Sequence, residues 1–259
     1  MNKQTLAFAV GTRSLGTSRT GQARLGARLR QVLLLCCLIA LTTAGNCNTE
    51  TLFKSNFDTT TLDQPPSATQ EVGTASFSGP PGAIVVAAAP PNAAPPAKWL
   101  RITRPNNQAQ VSSFQGKLVR QPGNGTYVFS SALFVPNGNV GPVTVQFEQF
   151  TQSVDNPVGF LHFDFLPDGH VRIDDDPNTT FGTFPINQVF LVQVTLTLNA
   201  PSASAHIILS GAGASGEADR TISAPFNLQA QQFGAVRLWI GFPNTGRFHA
   251  QNVVVTRKS

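Results

Sequence analysis

Apolar residues in this chain recur at every second position over short stretches, and no window shows the three-to-four-residue spacing of a long amphipathic helix. Val143, Val145 and Phe147 alternate with Thr144, Gln146 and Glu148. Phe190, Val192, Val194, Leu196 and Leu198 alternate with Gln193, Thr195 and Thr197. Successive side chains of a strand point to opposite faces, so this period describes strands with one buried and one polar face, the habit of antiparallel sheets. Gly, Pro and Asn punctuate the stretches. Candidate strands cover residues 52–57, 99–103, 110–114, 127–135, 143–150 and 159–166, then 170–174, 189–198, 203–209, 219–223, 235–242 and 248–257. Strands at this spacing without helices predict an all-β chain, a single antiparallel β-sandwich or jelly roll over residues 52–259.

Two local readings refine that picture. Residues 78–97 (SGPPGAIVVAAAPPNAAPPA) cannot form a central strand throughout, because each proline removes a ladder donor. They predict one short strand over residues 83–88 followed by a surface loop. Leu166-Pro167-Asp168-Gly169-His170 carries Pro and Gly where a type I turn with a glycine bulge needs them. The resulting hairpin register pairs Phe165 with Val171 and Phe163 with Ile173 on the core face. It sets Asp164 opposite Arg172, and His162 opposite Asp174, on the other.

The N-terminal region has a different character. Arg24, Arg28 and Arg30 precede a ten-residue apolar run (VLLLCCLIAL, residues 32–41) and then small residues. That order is a secretory signal peptide's, and the run is about half the ~20 residues a membrane-spanning helix needs. Cys36 and Cys37 would leave with the leader, which makes Cys47 the one cysteine of the mature chain. Six of the 18 Lys and Arg lie in residues 1–46 with no acid, so 12 remain against 13 Asp and Glu, a net charge of −1. Basicity belongs to the leader, and nucleic acid, which needs clustered Lys and Arg on the folded domain, is not an expected partner.

Ala44-Gly45-Asn46-Cys47 resembles the lipobox of bacterial lipoproteins, a small-residue run ending at a lipid-modified cysteine. The resemblance implies a leader over residues 1–46, lipidation at Cys47, a tether over residues 47–51 and a membrane-anchored protein of the cell envelope. Asn48 after the cysteine leans that address towards the outer membrane. Val236-Arg237-Leu238-Trp239-Ile240-Gly241 and the closing stretch Gln251-Asn252-Val253-Val254-Val255 resemble the last strands of the concanavalin A-like jelly rolls, the laminin-G and lectin-like superfamily. Such a resemblance implies a lectin-like fold and a polysaccharide or envelope-protein partner, with a polysaccharide lyase or hydrolase, or a structural envelope protein, as the alternatives. Where laminarinase-type members carry a Glu-x-Asp-x-x-Glu-like strand, this chain has only Glu148 and Asp164, without the second carboxylate that glycoside hydrolysis needs at that spacing.

Candidate sites follow from the same parity. His162, Asp164, Arg172 and Asp174 form a polar patch, readable as a sugar or acid–base surface or as two ordinary cross-strand pairs. Trp239 shares a strand face with Arg237, which suits a stacking platform for a sugar ring; it would instead be simply packed if both sheet faces were covered. Asp174, Asp175 and Asp176 gather oxygen ligands of the kind calcium takes, or they form an Asp-rich turn. An enzyme would need a groove lined by several of His162, Asp164, Arg172, Glu148 and Trp239 on one face. His206 and His249 read as surface residues on strands. No Gly-x-Ser-x-Gly nucleophile elbow and no zincin histidine pair occurs.

Overall fold

A computed structural model of the chain describes residues 49–93, 97–106, 108–120, 123–149, 158–199, 202–222 and 233–258. The expected leader and Cys47 lie outside the described residues. The strands are β1 (Thr49–Ser55), β2 (Thr74–Ser78), β3 (Ile84–Ala88), β4 (Lys98–Arg104), β5 (Ser112–Lys117), β6 (Gly125–Phe134), β7 (Val143–Gln149) and β8 (Val158–Phe165). They continue as β9 (His170–Ile173), β10 (Thr180–Thr183), β11 (Val189–Asn199), β12 (Ser202–Ser210), β13 (Ser215–Ile222), β14 (Phe233–Ile240) and β15 (Gly246–Lys258). Every pairing is antiparallel, in the order β2-β5-β14-β7-β8-β9-β10-β13-β12-β11-β6-β15-β4-β3, with β1 on β15.

This ribbon of strands turns over on itself. Phe129 of β6 packs edge-on against Phe147 of β7 at 5.4 Å, as does Tyr127 of β6 against Phe233 of β14 at 5.5 Å, and Phe165 of β8 meets Phe190 of β11 at a tilt, 5.5 Å away. None of these strand pairs are neighbours in the sheet order. A first layer, β2-β5-β14-β7-β8-β9, therefore faces a second, β13-β12-β11-β6-β15-β4-β3, and the inward residues of both make the core. The short β10 joins them. Gly182 of β10 and Gly216 of β13 are register partners, and a Cβ on Gly182 would lie 2.5 Å from the Ser215 carbonyl oxygen. Only glycine allows the chain to pass from layer to layer so closely.

The expected hairpin has its expected register: Phe163 pairs with Ile173, Asp164 with Arg172 and Phe165 with Val171. Four apolar residues of the pair are buried, as parity requires. A bulge between β7 and β8 leaves Phe160 without a counterpart and turns it into the core beside Phe147 and Phe233. Strands β2 and β10 are absent from the sequence reading. The first is an edge strand with one large apolar residue, half-exposed Phe77, and the second is four residues long; neither displays the alternation that marks a buried face.

Two sequence expectations need correction. The Ala/Pro-rich stretch after β3 is more than a surface loop, since Ala89, Ala93 and Ala97 pack against Trp99, Ala132 and Phe134 on the outside of the second layer. Small side chains let the backbone lie close over the buried indole. His249 is not a surface residue; it is buried, its ring edge-on to Phe134 at 5.7 Å.

Arg104 closes one end of the sandwich. It is buried, and its guanidinium donates to the carbonyl oxygens of Gln110 (3.1 Å), Gln108 and Asn244, tying two loops to the end of β4. Lysine lacks the planar fork needed to reach three carbonyls at once. Arg104→Lys is expected to cost about 2 kcal/mol, seen as a lower urea midpoint at unchanged slope. A midpoint within error of wild type would show that the loops do not depend on this guanidinium.

Candidate functional site

The outer face of the first layer gathers the polar residues into cross-strand rows. Ser76 of β2, Gln115 of β5, Arg237 of β14, Gln146 of β7 and His162 of β8 are successive register partners. The adjacent row runs Ser78, Ser113, Trp239, Thr144, Asp164 and Arg172. Glu148 lies one row the other way, opposite Ala235. The pleat sends Val236, Leu238 and Ile240 to the core, which leaves Arg237 and Trp239 on the opposite side. All five ligand-binding candidates, His162, Asp164, Arg172, Arg237 and Trp239, thus occupy one face, with Glu148.

That face is not simply solvated. Glu148 has no exposed surface and Asp164 is 2% exposed, whereas cross-strand pairs on an open sheet would be wet. Glu148 accepts a hydrogen bond from Gln115 and another from Gln146 at 3.3 Å, and Arg237 stands 3.7 Å away. Burial pushes its carboxyl above the usual range, against the pull of Gln115 and Arg237. Asp164 accepts from Thr144 Oγ1 at 2.6 Å and from Arg172 at 2.8 Å. Its carboxyl is likewise pushed up, chiefly by burial. Asp175 is held down because its carboxylate accepts a hydrogen bond from Asp164. The same Asp175 meets Arg172 at 3.1 Å and His162 Nε2 at 3.3 Å.

Two carboxyls whose environments drive their proton affinities apart are the raw material of acid–base chemistry. Here Asp164 is buried, with exposed Asp175 and half-buried His162 beside it. Donor atoms of His162, Asp164 and Asp175 also lie within 4.8 Å of one another, close enough to share a cation, but the Arg172 guanidinium already bridges the two carboxylates.

The carboxylates of Asp174, Asp175 and Asp176, read from the sequence as calcium ligands or an Asp-rich turn, diverge. Asp174 accepts from the His162 backbone N–H and faces Arg220 at 3.2 Å, while Asp175 turns to Arg172. Asp176 accepts from the Asn178 backbone N–H at 2.9 Å, closing a turn. Asp174 and Asp175 have φ of 53° and 58°, the left-handed geometry of a tight reversal. Between the layers beside this turn lies a cleft of about 290 Å³, lined by Phe160, His162, Asp174, Arg220 and Thr221.

Trp239 is half-buried, neither an open platform nor a fully packed residue. Its ring lies over Gly241, where a Cβ would come within 2.4 Å of the indole, and the Arg237 guanidinium sits 5.6 Å from the ring centre. Trp239 Nε1, Arg237 Nε and Arg172 Nε are shielded N–H donors without an acceptor among the described residues. All three belong to this face. Buried donors are normally paired; Trp99 Nε1, Gln149 Nε2 and Arg257 Nε are further shielded donors without an acceptor among the described residues. Gln115, Gln146, Thr144 and Ser113 join the site only in the folded chain. Parity puts Thr144 and Gln146 on a polar face, and the pairing of β7 with β14 shows whose face it is.

No family model matches the chain, and no curated protein sequence matches it. Among solved structures it is similar to the GH131 β-glucanase catalytic domain from Podospora anserina, at 10% identity over 81% of this chain and 96% of that one, with a TM-score of 0.45. Lectin I from Ulex europaeus shares 10% identity over 82% of this chain and 98% of its own, TM-score 0.44. The sialidase of Trypanosoma rangeli shares 13% identity over 68% of this chain, which spans 27% of the sialidase, TM-score 0.39.

Proposed function

We propose that this chain is an exported glycan-binding module, a concanavalin A-like β-sandwich held to the cell envelope by lipid on Cys47, that takes a saccharide across the Trp239–Arg237–Gln146–Arg172 face. The observation that carries the reading is the single sheet face that brings half-buried Trp239 and Arg237 together with Gln146 and Arg172. Sugar hydroxyls and ring oxygens are acceptors spaced along a flat ring, and an indole offers the apolar surface on which such a ring lies. Buried Glu148 and Asp164 hold Gln115, Gln146, Thr144 and Arg172 in place behind that face. The anchor rests on the leader and on the lone mature cysteine. Several acyl chains at ~0.8 kcal/mol per buried CH₂ hold a domain on a bilayer without help from charge. Cleavage of the bound polysaccharide is the second reading, favoured by the split Asp164–Asp175 pair.

Fluorescence tests the binding site directly, because the two tryptophans differ: Trp99 is buried and Trp239 is only half-buried. A bound saccharide is expected to shift and intensify the emission of Trp239 in a saturable way, and Trp239→Phe should abolish the change. A shift that survives Trp239→Phe would place the sugar elsewhere. For the anchor, labelled palmitate is expected in wild type and absent from Cys47→Ser; unlabelled wild type contradicts it.

A further inference from the structure

A second built site occupies the outside of the other layer, at the end of β4 and the start of β15. Arg101 and Thr103 of β4 pair in register with His249 and Arg247 of β15, which puts two guanidinium groups and a hydroxyl side by side on one face. Over them lies a cleft of about 500 Å³, floored by Arg101, Thr103 and Arg247 and walled by Pro80, Pro81 and Pro105. Its walls are fixed. The turn at Pro80 closes through the Ala83 N–H, and the Thr103 N–H bonds to the Ala83 carbonyl at 2.8 Å. Gln108, whose side of the cleft follows Pro105, has its carbonyl tied to buried Arg104.

The charge in the cleft is only partly compensated. Arg247 is exposed, and its backbone is clamped on both sides by Asn139, yet no ion pair reaches its guanidinium among the described residues. Arg101 has only Asp63, 3.6 Å away and largely exposed. His249 beneath them is held neutral by burial first and then by Arg247 and Arg101. From β6 the apolar ring of Phe134 stands edge-on to that imidazole.

We propose that this cleft binds the carboxylate or sulfate group of an acidic polysaccharide. Two adjacent guanidinium groups present the paired N–H donors that a planar carboxylate or a sulfate accepts. The proline walls suit the C–H faces of sugar rings, and Thr103 and Gln108 supply hydroxyl and amide partners. Position agrees with a ligand distant from the attachment point. β15 runs from Gly246 at the cleft to Lys258, which pairs with Thr49 at the N-terminal end, roughly 40 Å away at ~3.3 Å per residue. The inference stands whether or not the Trp239 face binds sugar.

The test is surface plasmon resonance of the purified protein over polygalacturonate, dextran sulfate and neutral dextran, at low salt and pH 7. Binding to at least one acidic polymer and none to dextran is expected, and the polymer bound identifies the group recognised. Exposed Arg247→Gln should weaken it about tenfold, the effect of one lost charge-assisted contact. Arg101→Gln should act in the same direction; if that variant fails to fold, Arg247→Gln alone decides. Arg120→Gln removes an equal charge at the opposite end, where Arg120 pairs with Glu50, and Trp239→Ala removes the other face; both should bind as wild type. Failure to bind either acidic polymer overturns the proposal, as does equal binding to dextran or equal weakening by Arg120→Gln. Loss in Trp239→Ala with Arg247→Gln unaffected would also overturn it and move the acidic polymer to the first layer.

Discussion

Phe147→Ala is expected to destabilise the protein by about 4 kcal/mol, roughly twice the cost of Arg104→Lys. Phe147 has no exposed surface and sits where the two layers meet. Its ring contacts Phe129 of β6 across the core, Phe163 and Phe160 of neighbouring β8, and Phe233 of neighbouring β14, at centroid distances of 5.4 to 6.4 Å. Truncation removes the transfer free energy of a benzyl group and the edge-to-face contacts. It also leaves a cavity that four aromatic neighbours, held on three strands, cannot collapse to fill. Phe147→Leu keeps most of the volume and should cost about 1.5 kcal/mol. Urea unfolding reads both, as a falling midpoint at constant slope. A loss under about 1 kcal/mol for Phe147→Ala would mean that the layers are not closed on this ring.

The second large effect depends on pH. His249 titrates normally near 6.5 and is depressed to about 4 in the folded chain, by burial first and then by Arg247 and Arg101. Between those values the unfolded chain binds a proton that the folded chain refuses, so stability falls as the pH falls. Each pH unit in that window costs about 1.4 kcal/mol, or about 3 kcal/mol by pH 4. Above pH 7 the histidine has no influence. Glu148 and Asp164 act in the opposite sense. Their carboxyls are raised by burial, so they contribute most when protonated and that contribution is lost as pH rises through their folded values. The histidine is therefore isolated by difference: the stability advantage of wild type over His249→Gln should shrink by about 3 kcal/mol between pH 7 and pH 4. Parallel stability curves would show that His249 is accessible to protons in the folded chain.

The 166–170 turn is legible in the sequence because several local signals agree there. Pro167 and Gly169 set the turn, and one register sorts both the apolar and the charged pairs. β2 and β10 are not legible, since an edge strand with one large apolar residue and a four-residue connector bury too little to alternate. Parity correctly puts Arg237 with Trp239, and His162 with Asp164, on polar faces. That these are the same face depends on β7 standing between β8 and β14, a pairing of segments some ninety residues apart that no local pattern encodes. Burial of Glu148, Asp164 and His249 is illegible for a related reason. A charged or polar letter reads as exposed until the partners that desolvate it, such as Thr144 and Arg172 around Asp164, are in place.

Affinity electrophoresis of the purified protein through gels containing each of a panel of polysaccharides, with wild type and Trp239→Ala run side by side, tests the glycan-binding reading most directly. Retardation by at least one polysaccharide, lost in Trp239→Ala and kept in Arg247→Gln, is the expected result. Migration unchanged by every polysaccharide, with no depolymerised product after long incubation, would contradict it.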